Sequence, residues 1–167
     1  DQFVGFGFGE KTGIDLPAEI GGITGNLKSN REVEYANISF GQGIAVTPIG
    51  MVRAMAALAN GGKLIEPHIT DHIEYMDGSK KDIPSKEITQ VIKPETSAEI
   101  TRMMVNVFDN YFDGGKKMDH YSIAGKTGTA QIADRATGGY YSDRNMHTFV
   151  GYFPAYNPQF IVFMLNE

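Results

Sequence analysis

Gly125-Lys126-Thr127-Gly128-Thr129, flanked by Ala124 and Ala130, brings a cation, two hydroxyls and an unhindered backbone into one short segment. If the segment is extended, it is equipped to hold a carboxylate. On a strand, Thr127 and Thr129 project from one face, so both hydroxyls can reach the same anion. Lys126 adds a positive charge beside them. Gly128 lacks the Cβ that would keep a substrate's backbone away from the strand edge. An exposed edge would also present N–H groups that could bind an extended peptide by strand addition or stabilise an oxyanion.

Other chemistries fit less well. A phosphate-binding loop ending in Gly125-Lys126-Thr127 needs a glycine five residues before Gly125, and that position is His120; Lys11-Thr12 fails because Glu10 stands at the required glycine. His68, His72, His120 and His147 lack the short spacing of a helical zinc motif, and the acidic residues are dispersed. Phe3, Phe6 and Phe8 alternate with glycines and are expected to anchor a loop on the core. Met51, Met55, Met103 and Met104 read as ordinary core or edge residues.

The elements that position this segment follow from periodicity and punctuation. Thr47-Pro48 predicts a helix start over 48–60, with Ile49, Val52, Met55, Ala56 and Ala59 at helical spacing and Asn60-Gly61-Gly62 as the stop. Lys93-Pro94-Glu95 opens a second helix over 94–112, whose apolar face is Ile100, Met103, Met104, Val107, Phe108 and Tyr111, ended by Gly114-Gly115. Asp77-Gly78 predicts a small peripheral hairpin within 63–92. The first forty residues read as loop with short helical turns. Strands are expected at 121–132, 146–153 and 159–166, the last two joined by the turn 154–158. The final strand is apolar at nearly every position, which predicts cover on both faces. Gly138 to Arg144 is long for a hairpin connection, and a loop overhanging the cleft and a plain surface loop fit it equally. Fold class is therefore α/β (α+β), an antiparallel sheet flanked by helices.

Composition narrows the partners. The chain has 167 residues, 41% of them hydrophobic, enough to bury a core. A net charge of -5 with scattered lysines and arginines offers no surface for nucleic acid. Cysteine is absent, which removes disulfides and thiolate chemistry. The apolar run Phe160 to Leu165 is far shorter than the roughly 20 residues of a membrane-spanning helix. Opening at Asp1 and stopping at Glu167 directly after that run, the chain is expected to be cut from a longer one.

Lys-Thr-Gly is the third motif of penicillin-binding proteins and class A β-lactamases, after Ser-x-x-Lys and a Ser-Asp-Asn-type element. The match extends beyond three residues. Ser122 to Gln131 resembles the third-motif strand of these enzymes, and His147 to Pro154 resembles their next strand. Phe8 to Pro17, Ser39 to Pro48 and Ala59 to Gly62 resemble the preceding segment, particularly in the monofunctional class B members. The resemblance covers almost the whole chain in the family's order.

The resemblance implies one transpeptidase domain, incomplete here, with 1–120 as its loop and helical part and 121–167 as three sheet strands. It implies that Lys126 pairs with the second-motif serine and contributes to the field that binds the carboxylate. It further implies that Thr127 and Thr129 hydrogen-bond the terminal carboxylate of a D-alanyl-D-alanine stem peptide or of a β-lactam, along the Lys126, Thr127, Gly128, Thr129 strand. The backbone N–H of Thr129 would be half of an oxyanion hole. None of Ser29, Ser39, Ser79, Ser85, Ser97, Ser122 and Ser142 is followed three residues later by lysine, and none begins Ser-x-Asn. The nucleophile is therefore expected outside this chain, which alone should form no acyl-enzyme. No cofactor or metal is implied. Expected partners are the remaining N-terminal part of the same domain and the cell-wall synthesis machinery, at the extracytoplasmic face of a bacterial membrane. The alternatives are a non-catalytic module that senses peptidoglycan or β-lactam, and a D,D-carboxypeptidase or β-lactamase relative.

Overall fold

Thr47 and Pro48 begin the helix α3 (Pro48–Ala59) as their chemistry dictates: the Thr47 hydroxyl accepts a hydrogen bond from Gly50 N at 3.2 Å, and proline occupies the first turn, where its missing N–H has no partner to lose. The computed structural model describes residues 2–111, 118–134 and 136–167. Before α3 lie a single turn α1 (Gln2–Gly5), a 3-10 turn at Gly25–Lys28 and α2 (Glu32–Ser39). The eight residues of α2 exceed the short turns expected there. Its N-cap, Arg31, makes no side-chain cap bond, and only Ile38 is buried, so neither capping nor periodicity announces it.

The expected apolar stripe of α3 is not its most buried face. Gly50, Arg53, Ala54 and Ala57 are buried instead. Arg53 reaches back to the glycine-rich start of the chain, its guanidinium donating to the carbonyls of Gly7 at 2.8 Å, Lys11 at 3.3 Å and Thr12 at 3.4 Å. Burial pulls its pKa below the usual guanidinium value, and the charges of Glu10 and Glu19 oppose that. Glu19 completes the clamp by accepting from Thr12 N, Thr12 Oγ1 and Gly13 N. Phe3 and Phe8 pack on each other with ring centroids 6.1 Å apart, and Phe6 and Phe8 are half-buried.

Residues 63–90 form two ladders rather than one hairpin. β1 (Lys63–Glu66) pairs with β4 (Lys86–Gln90), and between them β2 (His72–Glu74) pairs with β3 (Lys80–Asp82) around the Asp77-Gly78 turn. Asp15 ties the early loop to this region, accepting from Ile69 N at 2.7 Å and Thr70 N at 2.9 Å.

α4 (Pro94–Tyr111) starts where expected; residue 112 and the Gly114-Gly115 stop lie outside the described residues. Its buried positions are Ser97, Thr101 and Met104, whereas Met103 and Tyr111 are exposed. The two hydroxyls tolerate burial because each has a partner: Ser97 Oγ donates to Leu58 O at 2.6 Å and Thr101 Oγ1 shares 2.7 Å with the Tyr152 hydroxyl.

β5 (Ala124–Asp134), β6 (Gly139–Phe153) and β7 (Phe160–Asn166) form an antiparallel sheet in that order. β6 begins at Gly139, so the expected Gly138–Arg144 loop is mostly strand. It pairs with β5 through an irregularity: β6 advances five residues from Tyr140 to Asn145 while β5 advances two from Gln131 to Ala133. α3 and α4 cover one face, where Met104, Ala124, Tyr152 and Ala155 form the core with Met55, Ala59, Ile100, Val105 and Ile161 around it. The opposite face carries Phe160, Val162 and Met164, all exposed. The final strand is thus covered on one side within this chain, not on both as its apolar run suggested. On the open side its rings pack laterally, Phe153 on Phe160 at 5.2 Å.

Candidate active site

β5 is an edge strand: among the described residues only β6 pairs with it. Its first residues hold it in place. Ala124 and Gly125 are buried, and Ala124 lies directly opposite Tyr152, whose hydroxyl is fixed on Thr101 of α4. A Cβ on Gly125 would stand 3.0 Å from the Phe108 ring and 3.1 Å from the Phe149 ring, so the backbone here lies between two aromatics that only glycine admits without displacement.

Beyond that anchor the strand emerges: Lys126, Thr127, Gly128 and Thr129 are all exposed. Thr127 lies opposite Phe149 and Thr129 opposite His147, which puts both threonines on one face as expected. Lys126 alternates to the other face, opposite Val150, and its ammonium returns to donate to Thr127 O at 2.7 Å. Gly128 has a reason for being glycine that sequence reasoning did not give: a Cβ there would come within 2.6 Å of Thr148 Oγ1, before any substrate is considered.

Thr129 Oγ1 lies 3.3 Å from His147 Nδ1, a contact missed from sequence, where His147 counted only as the start of a strand. The signal was present in principle, since a hairpin places residues of its two arms opposite one another, but the turn and the irregularity hide the register. The far end of the hairpin is held by Asp134, whose carboxylate accepts from Thr137 Oγ1 at 2.7 Å and Ala136 N at 2.9 Å. These bonds, the Thr137 hydroxyl first, hold its pKa below the usual carboxylate value.

An edge strand with a cation and two aligned hydroxyls can grip an anionic group and offer backbone N–H to a developing negative charge. β5 contains no serine. Among the described residues no serine hydroxyl bonds Lys126; Ser97 and Ser39 donate to backbone carbonyls, Ser79 to Asp77, and Ser85 lies 3.5 Å from His68 on the exposed hairpin region. The phosphate-loop possibility is excluded by geometry, because Gly125-Lys126-Thr127 lies within a strand rather than before a helix. No helix among the described residues is long and apolar enough to cross a membrane.

The chain matches the family model of the penicillin binding protein transpeptidase domain over residues 1–167. It is 38% identical over 164 residues to stage V sporulation protein D of Bacillus subtilis, covering 95% of this chain and 25% of that protein. It is 30% identical over 182 residues to the peptidoglycan D,D-transpeptidase MrdA of Acinetobacter baumannii, covering 97% of this chain and 27% of the relative. Among solved structures, penicillin binding protein 3 of Mycobacterium tuberculosis complexed with ampicillin superposes with a TM-score of 0.89 at 28% identity, over 100% of this chain and 38% of that one. The chain thus spans about a quarter of the length of these curated relatives.

Proposed function

The chain belongs to the penicillin-binding protein transpeptidase family, and from that premise we propose that it is the carboxylate-recognising part of a peptidoglycan D,D-transpeptidase. The observation that carries this is the exposed edge of β5, unpaired among the described residues, with Lys126, Thr127 and Thr129 on it. In the complete protein a serine outside these residues attacks the penultimate D-alanine carbonyl of a stem peptide, and D-alanine leaves. An amine of a neighbouring stem then attacks the acyl-enzyme, forming the cross-link and releasing the serine. Thr127 and Thr129 donate hydrogen bonds to the terminal carboxylate, Lys126 supplies positive potential, and the Thr129 N–H binds the oxyanion with the serine's own N–H.

A β-lactam presents the same carboxylate beside a strained amide, so it occupies the donor's place and acylates the serine; a structural relative is recorded with ampicillin. Residues 1–167 form part of a single domain, in which α3 and α4 pack against the strands β5, β6 and β7. The remainder of the domain would complete the site and lie against the open face of β6 and β7. Cross-linking places the protein on the extracytoplasmic side of the bacterial membrane, with the cell-wall synthesis machinery.

Mass spectrometry after incubation with ampicillin tests the proposal. The complete protein should acquire one adduct, on a serine outside residues 1–167, and this chain alone should acquire none. An adduct on one of the seven serines here, or an unmodified complete protein, would overturn it. Product analysis with stem peptides should find transfer to an amine acceptor in preference to water.

A further inference from the structure

We infer that His147 is a positioning residue that orients the Thr129 hydroxyl so that its proton is free for the substrate carboxylate. This rests on the transpeptidase assignment proposed above and concerns a residue that assignment does not use.

A threonine hydroxyl has one proton to donate and two lone pairs, whereas a carboxylate only accepts. Thr129 can bind the carboxylate only if its single proton points at it. On an exposed strand the hydroxyl rotates freely, and any neighbouring acceptor competes for the proton. His147 Nδ1 is 3.3 Å from Thr129 Oγ1 and reaches it from the directly opposite position on β6. An imidazole that donates from Nδ1–H occupies a lone pair of the hydroxyl, and the hydroxyl proton is then left for the ligand. An imidazole with a bare Nδ1 would accept that proton and oppose binding. The carboxylate therefore selects the donating form, and the pair acts as a relay of hydrogen-bond direction from His147 through Thr129 to the anion.

His147 is exposed and is not part of the core, so packing does not account for a histidine at this place. Its ring also lines an open cleft of about 590 Å³ whose other polar groups come from Asp143, Arg144, Asn145, Asn166 and Glu167. Thr127 is placed differently: the residue opposite it is Phe149, whose side chain carries no nitrogen or oxygen. Of the two carboxylate-binding hydroxyls, only that of Thr129 has, among the described residues, a directly opposite cross-strand group able to fix its direction.

The test is a double-mutant cycle on the complete protein, read as the second-order rate of acylation by ampicillin. His147→Phe should slow acylation about five- to tenfold, the loss of one oriented hydrogen bond. In a Thr129→Val background, which is slow already, the same change should alter the rate by less than about twofold, because there is no hydroxyl left to orient. His147→Gln, whose amide can donate to Thr129, should recover most of the loss. An unchanged rate in His147→Phe, or equal slowing in both backgrounds, overturns the inference. Should His147→Phe fail to fold, imidazole nitrogen NMR shifts of the unmutated protein bound to ampicillin decide: a protonated Nδ1 supports the relay and a bare Nδ1 overturns it. Failure of the unmutated protein to be acylated at all would instead remove the transpeptidase assignment, and His147's role with it.

Discussion

Tyr152 ties α4 to the sheet beside the start of the motif strand, and removing its hydroxyl tests that tie with a magnitude. Its side chain is fully buried, its hydroxyl lies 2.7 Å from Thr101 Oγ1, and a weaker contact of 3.9 Å reaches Met104 Sδ. Ala124 is directly opposite it on β5, two positions before Lys126. Tyr152→Phe keeps the ring and strands the Thr101 hydroxyl in a buried place, where an unpartnered polar group costs about 1–3 kcal/mol. Thr101 can recover part of this by bonding a carbonyl one turn back on its helix, so the expected loss is about 1–2 kcal/mol. Thr101→Val removes the stranded group, and in that background Tyr152→Phe should cost less than about 0.5 kcal/mol. Urea denaturation of the complete transpeptidase domain measures all four corners of the cycle. Equal costs of Tyr152→Phe in both backgrounds would show that the hydroxyl pair contributes nothing and that β5 is held by apolar packing alone.

Asp15 should titrate at about 2 against an ordinary 3.8, because hydrogen bonds from Thr70, through its side chain first, and from the Ile69 and Thr70 amides favour the carboxylate. A lowered pKa means that this tie is intact above pH 3.8 and is lost as pH falls toward 2; a carboxyl NMR titration with its midpoint near 3.8 would refute the bonding. Lys126→Ala in the complete protein should slow acylation by ampicillin on the order of a hundredfold through lost electrostatic stabilisation, and an unchanged rate would remove its proposed role. Gly125→Ala should destabilise the domain by about 1–3 kcal/mol, since a methyl group must displace the Phe108 or Phe149 ring, and an unshifted urea midpoint would show that the rings have room.

The parts of the fold that local chemistry decides were legible. Thr47-Pro48, Lys93-Pro94 and Asp77-Gly78 placed two helix starts and a turn, because caps and tight turns are made by the residues that form them. What was not legible depends on distant partners. Nothing in the local pattern of α3 marks Arg53 for burial, and it is buried because three carbonyls of a loop more than forty residues earlier converge on it. Ser97 and Thr101 were not among the expected inward positions of α4, and they lie inside because Leu58 O and the Tyr152 hydroxyl are their partners. β6 was cut short because Gly139, Ser142 and Asp143 look like loop, although the strand begins at Gly139 and runs through all three. The site divides in the same way: Lys126 to Thr129 could be found by motif, and the neighbour of Thr129 could not.

That neighbour is decided by a backbone irregularity that begins two residues beyond it. Near the hairpin tip Asp134 faces Gly139 and Ala133 faces Tyr140; an unbroken ladder counted from there would set Arg144 opposite Thr129. The extra residues of β6 between Tyr140 and Asn145 shift the register so that His147 stands there instead. A fixed cation directly behind the hydroxyl would attract the carboxylate but could also bind it in place of Thr129. An imidazole donates one bond and leaves the threonine as the contact. The irregularity lies beyond Thr129, so β5 stays regular through the motif while its partner strand changes phase, and the free edge is undisturbed. Removing the extra residues should therefore leave the motif strand extended but cost the complete protein its His147–Thr129 pairing, an outcome that separates the geometry of the edge from the direction of its hydrogen bonds.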